Sequence, residues 1–431
     1  MFAIKNIPHY FNTDHRVLQL LFYAEGCFLR AAGIICEYDP FHLGHRYQIG
    51  RVRQLLGPDT AVVCAMSGNF VQRGGPAVMN KFARAAAAAA EGADLVLELP
   101  AAVSLSSAEG FASGAVAVLA AAGVCTHLCF GTETEDLASL TRLAEILCSG
   151  EADGGIRTLM KTGVSYAEAR QEAVRRIAGD SADVLSSPNN ILGVEYLKAV
   201  RRQNVPLEPV PVLRSGGGHG GNGWSGSAVR AALLSGGNWK ELVPELAGAV
   251  IREELDAGRA PVSWASLEQA ALYRLRSMSR YEFSGLPDAT EGLGDRLWKA
   301  VRRADTLEQV LELAKTRRYA MSRLRRMVAC AWLGIRSGEG REPLYLRVLA
   351  AGERGRTLLA EMRTATSLPV LVRSDEAKKL PAGARAAFER EAGYTDLYVL
   401  GYPAAGQRSC GSDWTARPVR SGENGPRDEE G

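Results

Sequence analysis

No apolar run in this 431-residue chain approaches the roughly 20 residues that a membrane helix needs. The alanine-rich stretches at 85–90 and 115–122 are interrupted by Glu91, Gly92 and Gly123, so they read as helices packed closely on a sheet. The first 29 residues lack a basic head, a long apolar core and a small-residue cleavage site, and no signal peptide is expected. Charge of one sign is also missing. Lys+Arg 51 against Asp+Glu 48 leaves a net +3, which excludes a polycation and requires any nucleic-acid contact to come from a local basic patch. Cysteine is sparse, and Cys36, Cys64, Cys129 and Cys330 lie in apolar segments, as small hydrophobes do. A reduced, cytoplasmic protein is expected. GEGREPL and SGGGHGGNG lack both the Lys-Ser/Thr of a P-loop and the dinucleotide-binding spacing after a strand. Hydrophobic residues at 46% and charged residues at 23% are ordinary globular usage. The length suits two or three domains.

From Leu29 the pattern alternates. LRAAGIICEY reads as a strand buried on both faces, 45–56 as a helix stopped by Gly57-Pro58, TAVVCAM as a strand and 76–91 as a helix. ADLVLELP, a helix over 106–122 and the strand VCTHLCFG follow. Strands separated by such helices imply an α/β fold with a parallel sheet and right-handed crossovers, whose ligands bind at the carboxyl ends of the strands. VPLEPVPVLR reads as an edge strand because of its prolines, SGGGHGGNG as a flexible connection, and 225–234 as a helix. After Gly237 helical patterns dominate, then a small αβ portion with PLYLRVLAA and LPVLVRS. The expected layout is an extension over 1–29, an α/β domain over 30–236, a mainly helical domain over 237–405 and a disordered tail over 406–431.

The strongest chemical signal is His42-Leu43-Gly44-His45, directly after a strand and Asp39-Pro40-Phe41. Two imidazoles at i and i+3 fall on one side of a helix N-terminus, where backbone N–H groups and the helix dipole favour anions. Imidazole donors there suit the α- and β-phosphates of ATP as charge builds on the bridging oxygen. A helix cap or surface turn is the plainer alternative. Asn189-Asn190 before a helix, Arg214, and Ser225, Ser227 and Arg230 near the next helix start form a second set, able to hold a triphosphate tail; taken alone, N-capping by Ser225 and a solvated arginine explain it better. Cys125, His127 and Cys129 alternate along one strand without a fourth ligand, so core packing is expected rather than a metal site.

GIICEYDPFHLGH, MSGNFVQRGGPAV, KFARAAAAAAEGADLVLELP, FGTE, SPNNILGVEYLKA and SGSAVR, in this order from about Ala32 to Arg230, together resemble the bacterial tRNA(Met) cytidine acetate ligases of the H-x-G-H nucleotidyltransferase superfamily. The resemblance implies a Rossmann-like nucleotidyltransferase domain and a two-step ligase. Acetate and ATP give acetyl-adenylate, and the wobble cytidine of elongator tRNA(Met) then receives the acetyl group, forming N4-acetylcytidine. ATP is a substrate, Mg²⁺ is expected with it, and no membrane or obligate protein partner is implied. Carried over by motif, the nucleotide stretch comprises Ile35, Cys36, Glu37, Tyr38, Asp39, Pro40, Phe41, His42, Leu43, Gly44, His45, Arg46, Tyr47 and Gln48, with His42 and His45 catalytic on the phosphates. Gly131 lies against adenosine, Asn189 holds the nucleotide and Arg214 completes the pocket. Ser67, Gly68, Asn69, Gln72 and Arg73 are candidates for the acetate side. Asp39 stands where the family usually has Asn, Gly75 where it usually has Glu, and the first thirty or so residues have no counterpart, as an upstream start codon would produce.

In LAKTRRYAMSRLRRMVACAWLGI, Lys315, Arg317, Arg318, Arg323, Arg325 and Arg326 crowd one stretch with Tyr319. A solvated helix face is the usual reading. A tRNA substrate favours phosphate contacts, with Tyr319 stacking on an unpaired base. The alternatives are another H-x-G-H adenylyltransferase or acid–amine ligase acting on a small molecule, and a tRNA-binding relative without catalysis.

Overall fold

The computed structural model describes residues 30–214, 224–340 and 342–420; the expected extension over 1–29 lies outside them. Ten strands occur among these residues: β1 (Ala31–Cys36), β2 (Ala61–Ser67), β3 (Phe70–Val71), β4 (Gly75–Pro76), β5 (Leu95–Leu99), β6 (His127–Thr132), β7 (Glu208–Leu213), β8 (Leu346–Ala351), β9 (Val370–Leu371) and β10 (Val419–Arg420). The main sheet runs β10-β8-β5-β2-β1-β6-β7, with β9 beside β8. Strands β5, β2, β1, β6 and β7 are mutually parallel. This is the doubly wound α/β arrangement that the alternating pattern requires. β1 and β2 are buried on both faces, and every residue of β2 is covered. One face packs against helices Ala108–Ala122 and Pro188–Gln203, the other against Leu43–Leu56 and Lys81–Ala90. β7 takes the edge, where Pro209 and Pro211 leave no central ladder bond unmade.

Local signals moved some helix starts. The helix expected over 76–91 begins only at Lys81, because 70–76 folds into the β3–β4 hairpin and Asn80 accepts from the Ala83 amide as N-cap. The helix expected from 106 is preceded by a separate turn, Ala101–Ser104, and starts after Ser107, whose hydroxyl caps Gly110.

Helices alone fill the chain from Lys240 to Leu333 and build a second core around Leu267, Leu324 and Trp332. The chain then returns to the sheet. β8 lies antiparallel to β5, and β10 parallel to β8. The small αβ portion thus completes the first sheet. The tail expected to be disordered from Gly406 is corrected up to residue 420. Asp413 is wholly buried, ion-paired with Lys81 Nζ at 2.8 Å and with Arg347, and β10 pairs with β8. A buried carboxylate between two cations fixes that segment, whatever its composition suggests. Among the described residues no helix is long and apolar enough to cross a membrane.

Candidate nucleotide site

β1 ends at Cys36, and helix Leu43–Leu56 begins seven residues later with His42 as its N-cap. The His42 Nδ1 accepts the Gly44 amide at 3.0 Å, and the His45 Nδ1 accepts the His42 amide at 3.2 Å, a reciprocal capping box built from imidazoles. Backbone N–H groups only donate, so both Nδ1 atoms hold lone pairs and both Nε2 atoms carry the ring proton. The rings stack with centroids 3.7 Å apart. Burial first, then the guanidiniums of Arg214 and Arg230, lower the His42 pKa to about 4; burial, His42 and Arg214 hold His45 well below its ordinary value. The pair is two neutral donors. Gly44 has a local reason as well: a Cβ there would lie 2.8 Å from the His42 ring.

His42, Gly44, His45, Tyr47, Gln48, Gly131, Arg214 and Trp224 are among the residues that line the pocket beside the pair. Arg214 leaves the end of β7 and lies over Gly131, where a Cβ would be 3.6 Å from the arginine Cγ. Arg230 donates to the Asp39 carbonyl and to Ser227 Oγ, and its Nη1 is 3.4 Å from Asp39 Oδ2. Asp39 also accepts the Val78 amide at 2.7 Å. The carboxylate standing where the family usually has Asn is therefore offset by an arginine.

Not every expected residue reaches this pocket. Ile35 and Cys36 belong to β1; Tyr38, Pro40 and Phe41 are packed inward beneath the histidines, and Leu43 opens the helix. Arg46 turns away toward Glu91 at 3.7 Å. The Glu37 carboxylate accepts the Gln72 amide at 2.6 Å, and burial raises its pKa. Ser225 caps helix Gly226–Ser235, the plainer alternative, while Arg230 is engaged with Asp39. Asn189 donates to Glu133, whose carboxylate also accepts the Asn190 amide at 3.1 Å. Glu133 and Trp224 were not among the expected site residues; the FGTE motif held the signal for the first.

Of the residues expected toward acetate, Ser67 is buried and its hydroxyl has no hydrogen-bond partner among the described residues, while Arg73 is exposed. Asn69 leaves this set. Its amide donates to Thr395 Oγ1 at 3.0 Å and accepts the Lys81 amide at 2.8 Å, which makes it a strut. Arg84, fully buried, was not an expected site residue either. Its guanidinium donates to the carbonyls of Glu37, Ser67, Gly68 and Met79 and so ties the ends of β1 and β2 together.

The basic stretch is split by burial. Arg317, Arg318 and Arg325 are exposed; Arg318 pairs with Glu291 at 2.9 Å, Lys315 donates to local carbonyls, and Arg323 reaches the Asp288 carbonyl. The stacking role expected of Tyr319 is corrected: the ring is buried in the helical core and its hydroxyl donates to the Glu291 carbonyl. Arg326 likewise points inward, toward Asp288. Gly74, with φ +84, sits where a Cβ would collide with the Arg325–Arg326 backbone, so the hairpin after β2 is seated on this helix.

A parallel sheet with a histidine-capped helix and two arginines at its carboxyl edge defines a nucleotidyltransferase-type site. Residues 29–413 match the family model described as HIGH Nucleotidyl Transferase. The chain is 34% identical to the tRNA(Met) cytidine acetate ligase of Acetivibrio thermocellus, over 90% of this chain and 99% of that one. It is 32% identical to the protein of the same name from Fervidobacterium nodosum, over 91% and 99%. The crystal structure of Thermotoga maritima TmcAL bound with alpha-thio ATP superposes with a TM-score of 0.85 at 30% identity, covering 91% of this chain and 99% of that one. The chain belongs to the tRNA(Met) cytidine acetate ligase family of HIGH nucleotidyl transferases.

Proposed function

We propose that this chain activates acetate with ATP and transfers the acetyl group to the N4 amine of the wobble cytidine of elongator tRNA(Met) in the cytoplasm. The observation that carries the nucleotide half is the double use of Nδ1 in the capping box, which leaves two Nε2–H donors on one corner beside Arg214. In the first step a carboxylate oxygen of acetate bonds to the α-phosphorus and the bond to the bridging oxygen breaks, releasing pyrophosphate. The neutral imidazoles steady the developing phosphate charge as hydrogen-bond donors, and the Arg214 guanidinium supplies the counter-charge. Acetate would enter by Ser67 and Gly68, with Gln72 and Arg73 behind them. In the second step the cytidine amine attacks the acetyl carbonyl, AMP leaves and the amine loses a proton. Mg²⁺ is expected to enter with ATP, bound to its phosphate oxygens. Exposed Arg317, Arg318 and Arg325, tied to the site through the hairpin at Gly74, would meet tRNA phosphates.

The test is mass spectrometry of the wobble nucleoside after incubation with ATP, labelled acetate and tRNA(Met), alongside acetate-dependent exchange of labelled pyrophosphate into ATP. Label in N4-acetylcytidine is expected. Exchange without any RNA product would favour the small-molecule acceptor; product without exchange would sink the adenylate route.

A further inference from the structure

β6 and β7 end side by side at the carboxyl edge of the sheet. Thr132 and Leu213 are register partners, and the Arg214 amide donates to the Thr132 carbonyl at 3.0 Å. Glu133 and Arg214 are therefore the first residues beyond two strands that lie roughly 5 Å apart. Gly131, two residues before Glu133, lines the nucleotide pocket together with Arg214. The start of helix Pro188–Gln203 is clamped here. The Glu133 amide donates to Asn190 Oδ1 at 2.9 Å, the Asn190 amide donates back to Glu133 Oε2 at 3.1 Å, and Asn189 Nδ2 donates to Glu133 Oε1. Asn190 is buried, and a Cβ on Gly193 would lie 2.8 Å from the Phe130 ring, so the helix start is seated tightly on β6. The Thr132 hydroxyl donates to the Thr134 carbonyl at 2.6 Å and holds the turn around Glu133. A carboxylate has only acceptors to offer, so the Asn189 amide takes one orientation, nitrogen toward Glu133 and oxygen away from it. That oxygen accepts no hydrogen bond among the described residues, and Asn189 is only half-buried.

We propose that Glu133 is a positioning residue that fixes Asn189 as an acceptor, its oxygen receiving a hydroxyl or amine donor from the nucleoside half of ATP; the inference rests on the nucleotide site proposed above. At neutral pH the donors of ATP are its two ribose hydroxyls and its exocyclic amine, all on the nucleoside. Its triphosphate offers only acceptors. The imidazole donors and the Arg214 guanidinium suit that triphosphate. A carboxylate and an amide oxygen would repel it, so Glu133 and Asn189 suit the opposite end of the same ligand. A glutamine at position 133 would reverse the arrangement. The Asn190 amide still needs an oxygen opposite it, which leaves the glutamine NH₂ facing Asn189. Asn189 then turns its own oxygen toward residue 133 and its nitrogen away. A ribose hydroxyl accepts as readily as it donates and tolerates that turn. An exocyclic amine would meet a second donor, whereas a 6-oxo purine would gain a hydrogen bond.

Isothermal titration calorimetry of the whole chain with ATP, 2′-deoxy-ATP, 3′-deoxy-ATP and ITP reads the contact without turnover. In the unaltered protein at least one analogue should bind about tenfold more weakly than ATP, the scale of one neutral hydrogen bond. A deoxy form does so if the donor is a ribose hydroxyl, ITP if it is the amine. Asn189→Ala removes the acceptor and Glu133→Ala releases it, so each should cut that ratio to within about threefold. A merely structural role for Glu133 would weaken all four nucleotides alike and leave the ratio as it was. Glu133→Met releases the amide too, while filling the space, and serves where the Ala variant fails to fold. Glu133→Gln should keep the ratio for a ribose donor and make ITP the better ligand for an amine donor. Equal binding of all four nucleotides by the unaltered protein, or an unchanged ratio in the released variants, overturns the proposal. An ITP penalty that persists in Glu133→Gln does the same. Absence of acetate-dependent pyrophosphate exchange, with these ratios as expected, would strike the acetate reading and leave this one standing.

Discussion

At the scale of single residues, the imidazole pair shows how a backbone can choose a tautomer. Doubly protonated rings would turn each Nδ1 from acceptor to donor and break both caps, so the cap and the proposed phosphate role ask for the same state. His42→Ala should lower acetyl-adenylate formation by about 10²–10³, the scale for losing one transition-state donor, and stability by about 1 kcal/mol for the lost cap. His42→Asn restores a capping oxygen, so the melting temperature should recover while the adenylate rate does not. Recovery of both would place the role of His42 in the cap alone. The pH dependence follows from the lowered values. The unfolded chain takes up protons below about pH 6.5, and folded His42 does so only near pH 4. The unfolded state binds more protons between these limits, so stability falls as pH drops through that window, by up to about 3 kcal/mol from His42. Denaturant titrations at pH 7 and pH 4.5 measure it. Adenylate formation should show no inflection near pH 6.5 assignable to these rings.

At the scale of elements, most of the sheet was legible, because buried strands such as AVVCAM carry an unbroken apolar run and the prolines of β7 announce an edge. The histidine corner was legible for the same reason: strand, turn and helix start are all local signals. What pairs across long separations was not. Phe70 looks like part of the turn after β2, yet it packs edge-on against Trp332 and Tyr398 in the helical core. Tyr319 carried no local mark of burial, since its neighbours are basic. Arg84 sat in an alanine-rich helix with nothing to announce that its guanidinium serves four carbonyls. The hairpin itself is testable. Gly74→Ala must adopt positive φ and push on the Arg325–Arg326 backbone, so a loss of at least about 1–2 kcal/mol is expected, with a rise in the KM for acetate. An unchanged melting curve would show that the hairpin is not seated as described.

For the whole molecule, the returning C-terminal segment is held to the sheet by charge as well as by strand pairing. Asp413→Ala leaves Lys81 and Arg347 buried with Glu98 as their remaining carboxylate in the cluster, and a destabilisation of about 3–5 kcal/mol is expected from an uncompensated buried charge. Calorimetry would detect it; a loss under about 1 kcal/mol would mean that water reaches the cluster. Exposed charge acts differently. Replacing Arg317, Arg318 and Arg325 with Ala should weaken tRNA binding and flatten its salt dependence by about two to three units of log–log slope, with pyrophosphate exchange retained. Equal slopes before and after would remove these arginines from the RNA surface.

The late return of Asp413 to Lys81 has a bearing on biosynthesis. A nascent chain displays Lys81 roughly 330 residues before the ribosome adds their anionic partner, a delay of roughly 15 to 65 s at about 5–20 residues per second. Until β8 is made β5 has an open flank, and throughout the interval the neighbouring ammonium lacks half its counter-charge. Products cut short by premature termination would keep that exposed seam, and quality-control proteases could tell them from finished copies.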